Sequence, residues 1–473
     1  MQTGLFIAIT LGLFALYLAI GYLASRRNVS SLDYLLAGKS LGIPTVTASL
    51  LAAQVGGGMF LGTAQSPFHG LLYIFGVSLG LLILGLGIAE KMRAFDAATV
   101  GEILETTYQS ISLRHIAVVL SLISLTGILI GQILAIKSVL VTFANIHDHL
   151  FFILFWLGIV TYTVIGGFHT VIITDFFRII FIILTFSAIC IYSLVINPVA
   201  FFSAENLSRV GDLFSTSGLT WSEGLRIVLV PALFCLIEED LAQKFFSART
   251  QRIAGISALC ASILLILFSF VPFYFGIEAQ LLGIVQVGSV SPLLPVLKAL
   301  TNNIFFTVAL CGLLAAITST SDSLLCAISS TLTKPAAHLL SLEPSIHVSR
   351  FIVFVAGIFT LAVSYLFPQE IINVLVGSYE ISICALFIPF LGSLFLKERY
   401  STAALAAAVT GLILFFLFRI PLSHVPQVLH DVARVLSTYA PHATGITLIG
   451  SFIAYALVHV SSARAAKNEN SSF

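Results

Sequence analysis

Apolar residues run through this chain in blocks of about twenty, the length that crosses a bilayer as a helix, and short polar or basic stretches separate them. Thirteen such blocks are predicted as spans, at 4–25, 41–64, 70–90, 115–144, 150–166, 171–196, 224–243, 253–277, 303–333, 350–367, 371–396, 401–418 and 443–460. We number them from 0 to 12. Two are broken internally. Span 1 holds "AAQVGGGMFLGT" (Ala52–Thr63), three consecutive glycines after a polar Gln54. Each glycine costs about 1 kcal/mol against alanine inside a helix. In lipid, freed backbone groups find no water. Span 6 contains Pro231, followed by Glu238, Glu239 and Asp240. Spans 1–5 and 6–10 make two sets of five. Five is odd, so the second set enters from the opposite side. Paired interruptions at matching positions of inverted halves point to a transporter's central site. Unwinding at Gly56, Gly57 and Gly58 would turn carbonyls, including those of Ala52 and Val55, toward an ion. The structural alternative is close helix packing through Gly58 and Gly62.

Composition narrows the class. Of 473 residues, 58% are hydrophobic and 9% charged, with mean hydropathy +1.07. Soluble domains carry about 25% charge. The chain is therefore expected to be an all-α polytopic membrane protein. A net charge of +1 argues against a nucleic-acid partner. The six cysteines all lie in apolar runs with no zinc spacing and read as small hydrophobes. Gly4 to Ala24 lacks a basic leader and reads as a retained helix. With the N-terminus outside, sixteen of the 22 Lys and Arg residues fall at inner ends and five outside. The C-terminus is then cytoplasmic, in a bacterial inner membrane. The outer stretches near 197–223 and 419–442 read as lids or interfacial helices. No stretch suits a catalytic domain, and no nucleophile elbow, metal cluster or phosphate loop appears, so an enzyme is not expected.

Span 8 concentrates the chemistry. In "LAAITSTSDSLLCAISSTL" (Leu314–Leu332), Ala316, Thr320, Ser323 and Ala327 share one helical face, with Ser319 beside them. Hydroxyls and carbonyls are hard oxygen ligands suited to a small cation. Lone Ser or Thr residues instead bond the carbonyl one turn back, but here Asp322 joins five hydroxyls between 318 and 323. An ionisable residue inside a span is a functional hypothesis by default. Asp175 is a second embedded carboxylate, with either a site role or an interfacial salt bridge to Arg178. Asp240 can pair with Lys244 and Glu239 with Gln243 at i+4, leaving Glu238 to face the cavity. Lys137 either snorkels outward or serves the pathway.

Three stretches, "SLLAAQVGGGMFLG", "YTVIGGFHTVIITDF" and "AAITSTSDSLLCAISS", in this order and spacing, resemble the sodium:solute symporter family, which includes proline, sialic acid, sugar, pantothenate and choline carriers. The resemblance implies a LeuT-type 5+5 inverted-repeat core over 40–396 (halves 40–196 and 224–396). Around it lie a peripheral helix at 4–25, accessory helices within 401–460 and a tail at 461–473. It implies a sodium site made by the carbonyls of Ala52, Val55 and Ala316 with the side chains of Ser319 and Thr320. In some members a second ion site lies further inward; the matching positions are Asp175, Ser319, Asp322 and Ser323. The glycine triplet is most like choline carriers, but the tryptophan and glutamine of their span 6 stand here as Glu238 and Glu239. That departure argues against choline and keeps a positively charged or zwitterionic solute.

The expected function is sodium-driven symport of a small organic solute by alternating access. Sodium is the coupling ion, with no cofactor and no obligate protein partner beyond membrane lipid. Residues expected around the solute are Gln54, Gly56, Gly57, Gly58, Met59, Gln132, Phe234 and Glu238. The alternatives are proton coupling through Asp175, Asp322 or Glu238 and, from other classes, a channel or a membrane sensor. A channel should lack paired helix breaks. A sensor should carry an output domain larger than the stretch after span 12.

Overall fold

The computed structural model describes residues 3–25, 30–143, 149–196, 204–284, 291–366, 371–419 and 442–471. The described residues form helices joined by short connections, with one isolated bridge between Leu41 and Ala248. Among them, eight helices are long and apolar enough to cross a membrane, or nine if the bent pair formed by α1 (Ile43–Gln54) and α2 (Gly58–Gln65) is one span. Expected spans 4 and 5 run together in α3 (His149–Ile196), interrupted at Gly167, whose φ is 62°. A side chain there would meet the Tyr34 ring at 2.5 Å. The Tyr34 hydroxyl, in turn, lies 3.3 and 3.1 Å from the carbonyls of Thr163 and Val164, which the break leaves free. Expected span 6 is divided into α4 (Trp221–Cys235) and α5 (Glu239–Ser247). Of the expected lids, 197–203 and 420–441 lie outside the described residues, as do Arg26, Arg27 and Arg434; within the first lid, a helix covers Ala204–Thr216.

At the centre stands α6 (Asn303–Leu339). The Asn302 side chain starts it by accepting from the N–H groups of Ile304 and Phe305, both at 3.0 Å. Its apolar window is 83% buried, whereas that of the Phe6–Leu23 helix is 22% buried. The first is enclosed by protein over most of its surface; the second is left uncovered by protein over most of its surface. α6 packs against α3, against Ile111–Phe143 and against α1. The two broken spans are tied together at one end: Leu41 N–H donates to the Ser247 carbonyl (3.2 Å) and Arg249 N–H to the Leu41 carbonyl (2.9 Å).

Two of the sixteen basic residues assigned to the inner side are buried in protein: Arg178 at 1% exposure and Lys244 at 0%. They neutralise internal carboxylates and carry no information on loop orientation.

Candidate functional site

The break in span 1 falls where the glycines predict it. Helix α1 ends at Val55 (φ −85°, ψ 66°), and regular winding resumes at Gly58 as a π-turn. Neither Gly56 nor Gly57 has a positive φ; close approach is what requires them. A Cβ on Gly56 would lie 2.6 Å from Thr320 Oγ1, and one on Gly57 2.5 Å from Ala135 Cβ. Unwinding and close packing therefore occur together. The freed Gly57 N–H donates to Gln132 Oε1 at 2.9 Å.

Opposite the break, α6 presents its hydroxyls. Thr320 Oγ1 lies 3.3 Å from the Ala52 carbonyl, 3.1 Å from that of Ala53 and 3.4 Å from that of Ala316. A hydroxyl has one proton, so four oxygens converge with more lone pairs than donors, the electrostatic condition for a cation. Val55 follows at the break, and Ser319 adjoins on the helix. Ser319 Oγ donates to Asp175 Oδ1 at 2.5 Å, and Ser49 Oγ donates to Asp175 Oδ2 at 2.7 Å. The structure thus brings Ala52, Ala316, Ser319 and Thr320 into one neighbourhood and joins Asp175 to it through Ser319.

Arg178 does not take Asp175 as its close partner, and the pair is not interfacial. Its Nη1 donates to Asp322 Oδ2 at 2.6 Å and stands 4.0 Å from Asp175 Oδ1. Nη2 donates to the Tyr162 hydroxyl at 2.7 Å, and the guanidinium lies 4.1 Å from the Tyr17 ring centroid. All three charged side chains are fully buried. Ser323 Oγ and Asp322 Oδ1 have no hydrogen-bond partner.

A small cavity of about 20 Å³ lies beside the breaks. Gln54, Gly56, Gly58, Met59, Gln132 and Glu238 line it, as the sequence expects. Gly57 sits behind, and Phe234 reaches the cavity indirectly by stacking on Tyr379 (centroids 4.2 Å, 12° between planes). Sequence reasoning missed Tyr73, Asp240 and Tyr379 in the lining. The tyrosine hydroxyls bond at 2.8 Å across 306 positions, a pairing no local spacing signals.

The three carboxylates at the span 6 break separate. Glu239 accepts from the N–H groups of Val100 and Gly101 (2.9 and 3.3 Å), the N-terminus of the Val100–Tyr108 helix. Asp240 is paired with Lys244 at 2.5 Å. Glu238, in extended conformation at the start of α5, is left at the cavity with a side-chain hydrogen bond to Gln54. Lys137 Nζ lies 5.0 Å from the Tyr365 ring centroid. Outside the spans, the Lys39 ammonium bonded to Asp96 holds that carboxyl below its ordinary range.

Comparison with known proteins follows the same residues. The profile of the sodium:solute symporter family matches residues 34–411. The osmoregulated proline transporter of Bacillus subtilis (strain 168) is 31% identical over 215 residues, 42% of this chain and 41% of that protein. The matched stretch is therefore less than half of that relative. A structure of a Na+-coupled sialic acid symporter, substrate-bound and outward-open, superposes over 96% of this chain and 98% of its own, with TM-score 0.76 and 18% identity. A nucleobase-cation-symport-1 family transporter superposes over 92% and 95%, with TM-score 0.58 and 13% identity. At these identities the likeness is one of fold.

Proposed function

Because this chain belongs to the sodium:solute symporter family, we propose that it is a secondary active transporter that couples inward movement of one sodium ion to uptake of a small organic solute. It is a multi-pass membrane protein with the fold of Na+-coupled symporters. The proposal sets it in the plasma membrane, N-terminus outside. Sodium lies between the broken span 1 and α6, held by the carbonyls of Ala52, Val55 and Ala316 and the hydroxyls of Ser319 and Thr320. The solute occupies the cavity beside the break, whose lining includes Thr320.

One observation carries this reading: the carbonyls of Ala52, Ala53 and Ala316 converge within 3.1–3.4 Å of Thr320 Oγ1. Since these oxygens come from both sides of the α1–α6 contact, an ion there stabilises one packing of the broken span over another. Alternating access needs such a differential interaction. The formal charge agrees with one ion. Asp175, Asp322 and Arg178 sum to one negative charge, fully buried, and a sodium ion beside Ser319 cancels it. A tenfold sodium gradient supplies about 1.4 kcal/mol, and membrane potential about 2.3 kcal/mol per 100 mV, enough to concentrate a solute without ATP.

The test is sodium-stimulated uptake in reconstituted vesicles. Ser319→Ala and Thr320→Ala are each expected to raise the half-saturating sodium concentration at least tenfold, about 1.4 kcal/mol, while the protein still reaches the membrane. Parental sodium dependence in both variants overturns the site. Uptake driven by a pH gradient in sodium-free buffer overturns the choice of ion.

A further inference from the structure

The solute cavity has a chemistry of its own, beyond the coupling ion. Glu238 and Asp240 both line it, and no Arg, Lys or His is among its lining residues. Both carboxylates are more than nine-tenths buried. Lys244, whose charge reaches Glu238, is committed to Asp240 at 2.5 Å. Glu238, Asp240 and Lys244 together therefore leave one formal negative charge at the cavity wall. Gln54 hydrogen-bonds Glu238 but brings no charge. Next to this carboxylate stands an aromatic stack. Phe234 lies on Tyr379 at 4.2 Å, and Tyr73 is stacked near Tyr379 at 6.5 Å, with 18° between planes and the hydroxyls bonded at 2.8 Å.

A carboxylate and an aromatic face side by side select against most solutes. An anion is repelled by Glu238. A neutral polyol leaves that charge buried without a counter-ion. The carboxylate of a zwitterion finds no basic side chain among the lining residues. An ammonium group satisfies the wall: Glu238 and the tyrosine hydroxyls accept its N–H groups, and the ring stack offers a cation–π contact. We propose that the transported solute is a small organic cation, an amine without a balancing carboxylate, whose charge pairs with Glu238 against the Tyr73–Tyr379 wall.

This inference rests on the symport reading and adds a consequence to it. One sodium and one cationic solute cancel both residual buried charges, so each transport cycle moves two positive charges.

The experiment uses the full chain, purified and reconstituted, with ethanolamine and propylamine as cations, proline and glycine betaine as zwitterions, glucose as a neutral solute and pyruvate as an anion. Thermal shift in sodium reads binding; current against tracer flux reads charge per solute. Only the cations are expected to raise the melting temperature in sodium, with two charges moved per solute. Glu238→Gln removes an excess buried charge and is expected to melt no lower than the parent, to bind sodium within twofold of it and to lose cation binding at least a hundredfold. Glu238→Asp restores cation selectivity. Tyr379→Ala, which keeps the charge and removes the ring, lowers cation affinity at least tenfold. Unchanged cation binding in Glu238→Gln or Tyr379→Ala overturns the proposal. So does a shift from glucose or pyruvate equal to that of the amines, a zwitterion carried with one charge per cycle, or no shift from any cation. These results leave the symport reading standing if sodium alone still stabilises the protein through Ser319. Loss of all sodium effect overturns that reading instead.

Discussion

Two regions of this molecule bury the same formal charge in different ways. Beside the proposed sodium ligands, Asp175 and Asp322 enclose Arg178. Beside the cavity, Glu238 and Asp240 share Lys244. Each set is two carboxylates and one base, and each retains one negative charge. In the first, that charge sits on Asp175, which accepts from Ser49 and Ser319 in close-packed protein. A bare ion that hydroxyls and carbonyls can clasp is the occupant proposed there. In the second, it sits on Glu238 at the edge of empty space, next to three aromatic rings. A cation with a carbon frame is the occupant proposed for it. Position alone separates the proposed ion site from the proposed solute site: the formal charge is equal, and the neighbours decide what can cancel it.

The comparison breaks most severely at the resident base of the first set. Arg178→Ala strips Asp322 of its 2.6 Å partner and leaves two unbalanced carboxylates in close-packed protein. Breaking a buried pair costs about 3–5 kcal/mol, so this variant is expected to lose most monodisperse protein on size exclusion. Adding Asp322→Asn removes the orphaned charge and restores most of it. An Arg178→Ala protein that melts like the parent would show that the guanidinium is not the internal counter-charge. A smaller loss is expected from Gly56→Ala, whose new methyl meets Thr320 Oγ1 at 2.6 Å and Gln132 Oε1 at 3.0 Å. Overpacking costs about 1–3 kcal/mol, and here it falls on a proposed sodium ligand. Half-saturating sodium is expected to rise about tenfold, which corresponds to about 1.4 kcal/mol. Gly12→Ala is the control, with nothing within 4 Å of the added methyl.

The sequence reveals local relations and hides distant ones, and these two sets show both. Asp240 and Lys244 are four apart on one helix, and their pairing is read directly from i+4 geometry. The glycine triplet and the hydroxyl run on span 8 each announce themselves against an apolar background, so both halves of the proposed ion site are legible. Arg178 and Asp322 are 144 positions apart on different helices. The three-residue spacing to Asp175 points at the more distant of Arg178's two carboxylates, at 4.0 Å, because only the packing of α3 on α6 brings Asp322 closer. Tyr73 and Tyr379 read as ordinary aromatic residues until the fold joins them. Charge counting misleads at Arg178 and Lys244 for the same reason: loop bias assumes that a basic residue faces water or headgroups, and these two face carboxylates.

On the cavity side, Tyr379→Phe sharpens the contrast. It keeps the ring on Phe234 and removes the hydroxyl bonded to Tyr73. A neutral hydrogen bond contributes about 1 kcal/mol, so cation affinity is expected to fall about fivefold by isothermal titration. Sodium affinity measured without solute should not move. A parallel loss of sodium binding would mean that the two regions are one site.

The smallest effect is expected at Ser323, and it bears on how many ions the first region holds. Ser323 stands one position from Asp322, on the hydroxyl-bearing side of α6, and its Oγ has no hydrogen-bond partner. Taken alone, an unpartnered buried hydroxyl and a carboxylate with a free oxygen suggest another cation. Arg178 answers that demand already: its guanidinium sits on Asp322 and against Tyr17 and Tyr162, and it cannot lose its charge in a protein. The first sodium brings the residual charge of −1 to zero, and a second would raise it to +1 among fully buried side chains. Ser323→Ala is therefore expected to change half-saturating sodium by less than twofold, with a Hill coefficient that stays at one. A fall in sodium affinity beyond that, or a parental Hill coefficient near two that drops in the variant, would show that Arg178 and an ion share Asp322. The two regions would then differ in charge as well as in neighbours.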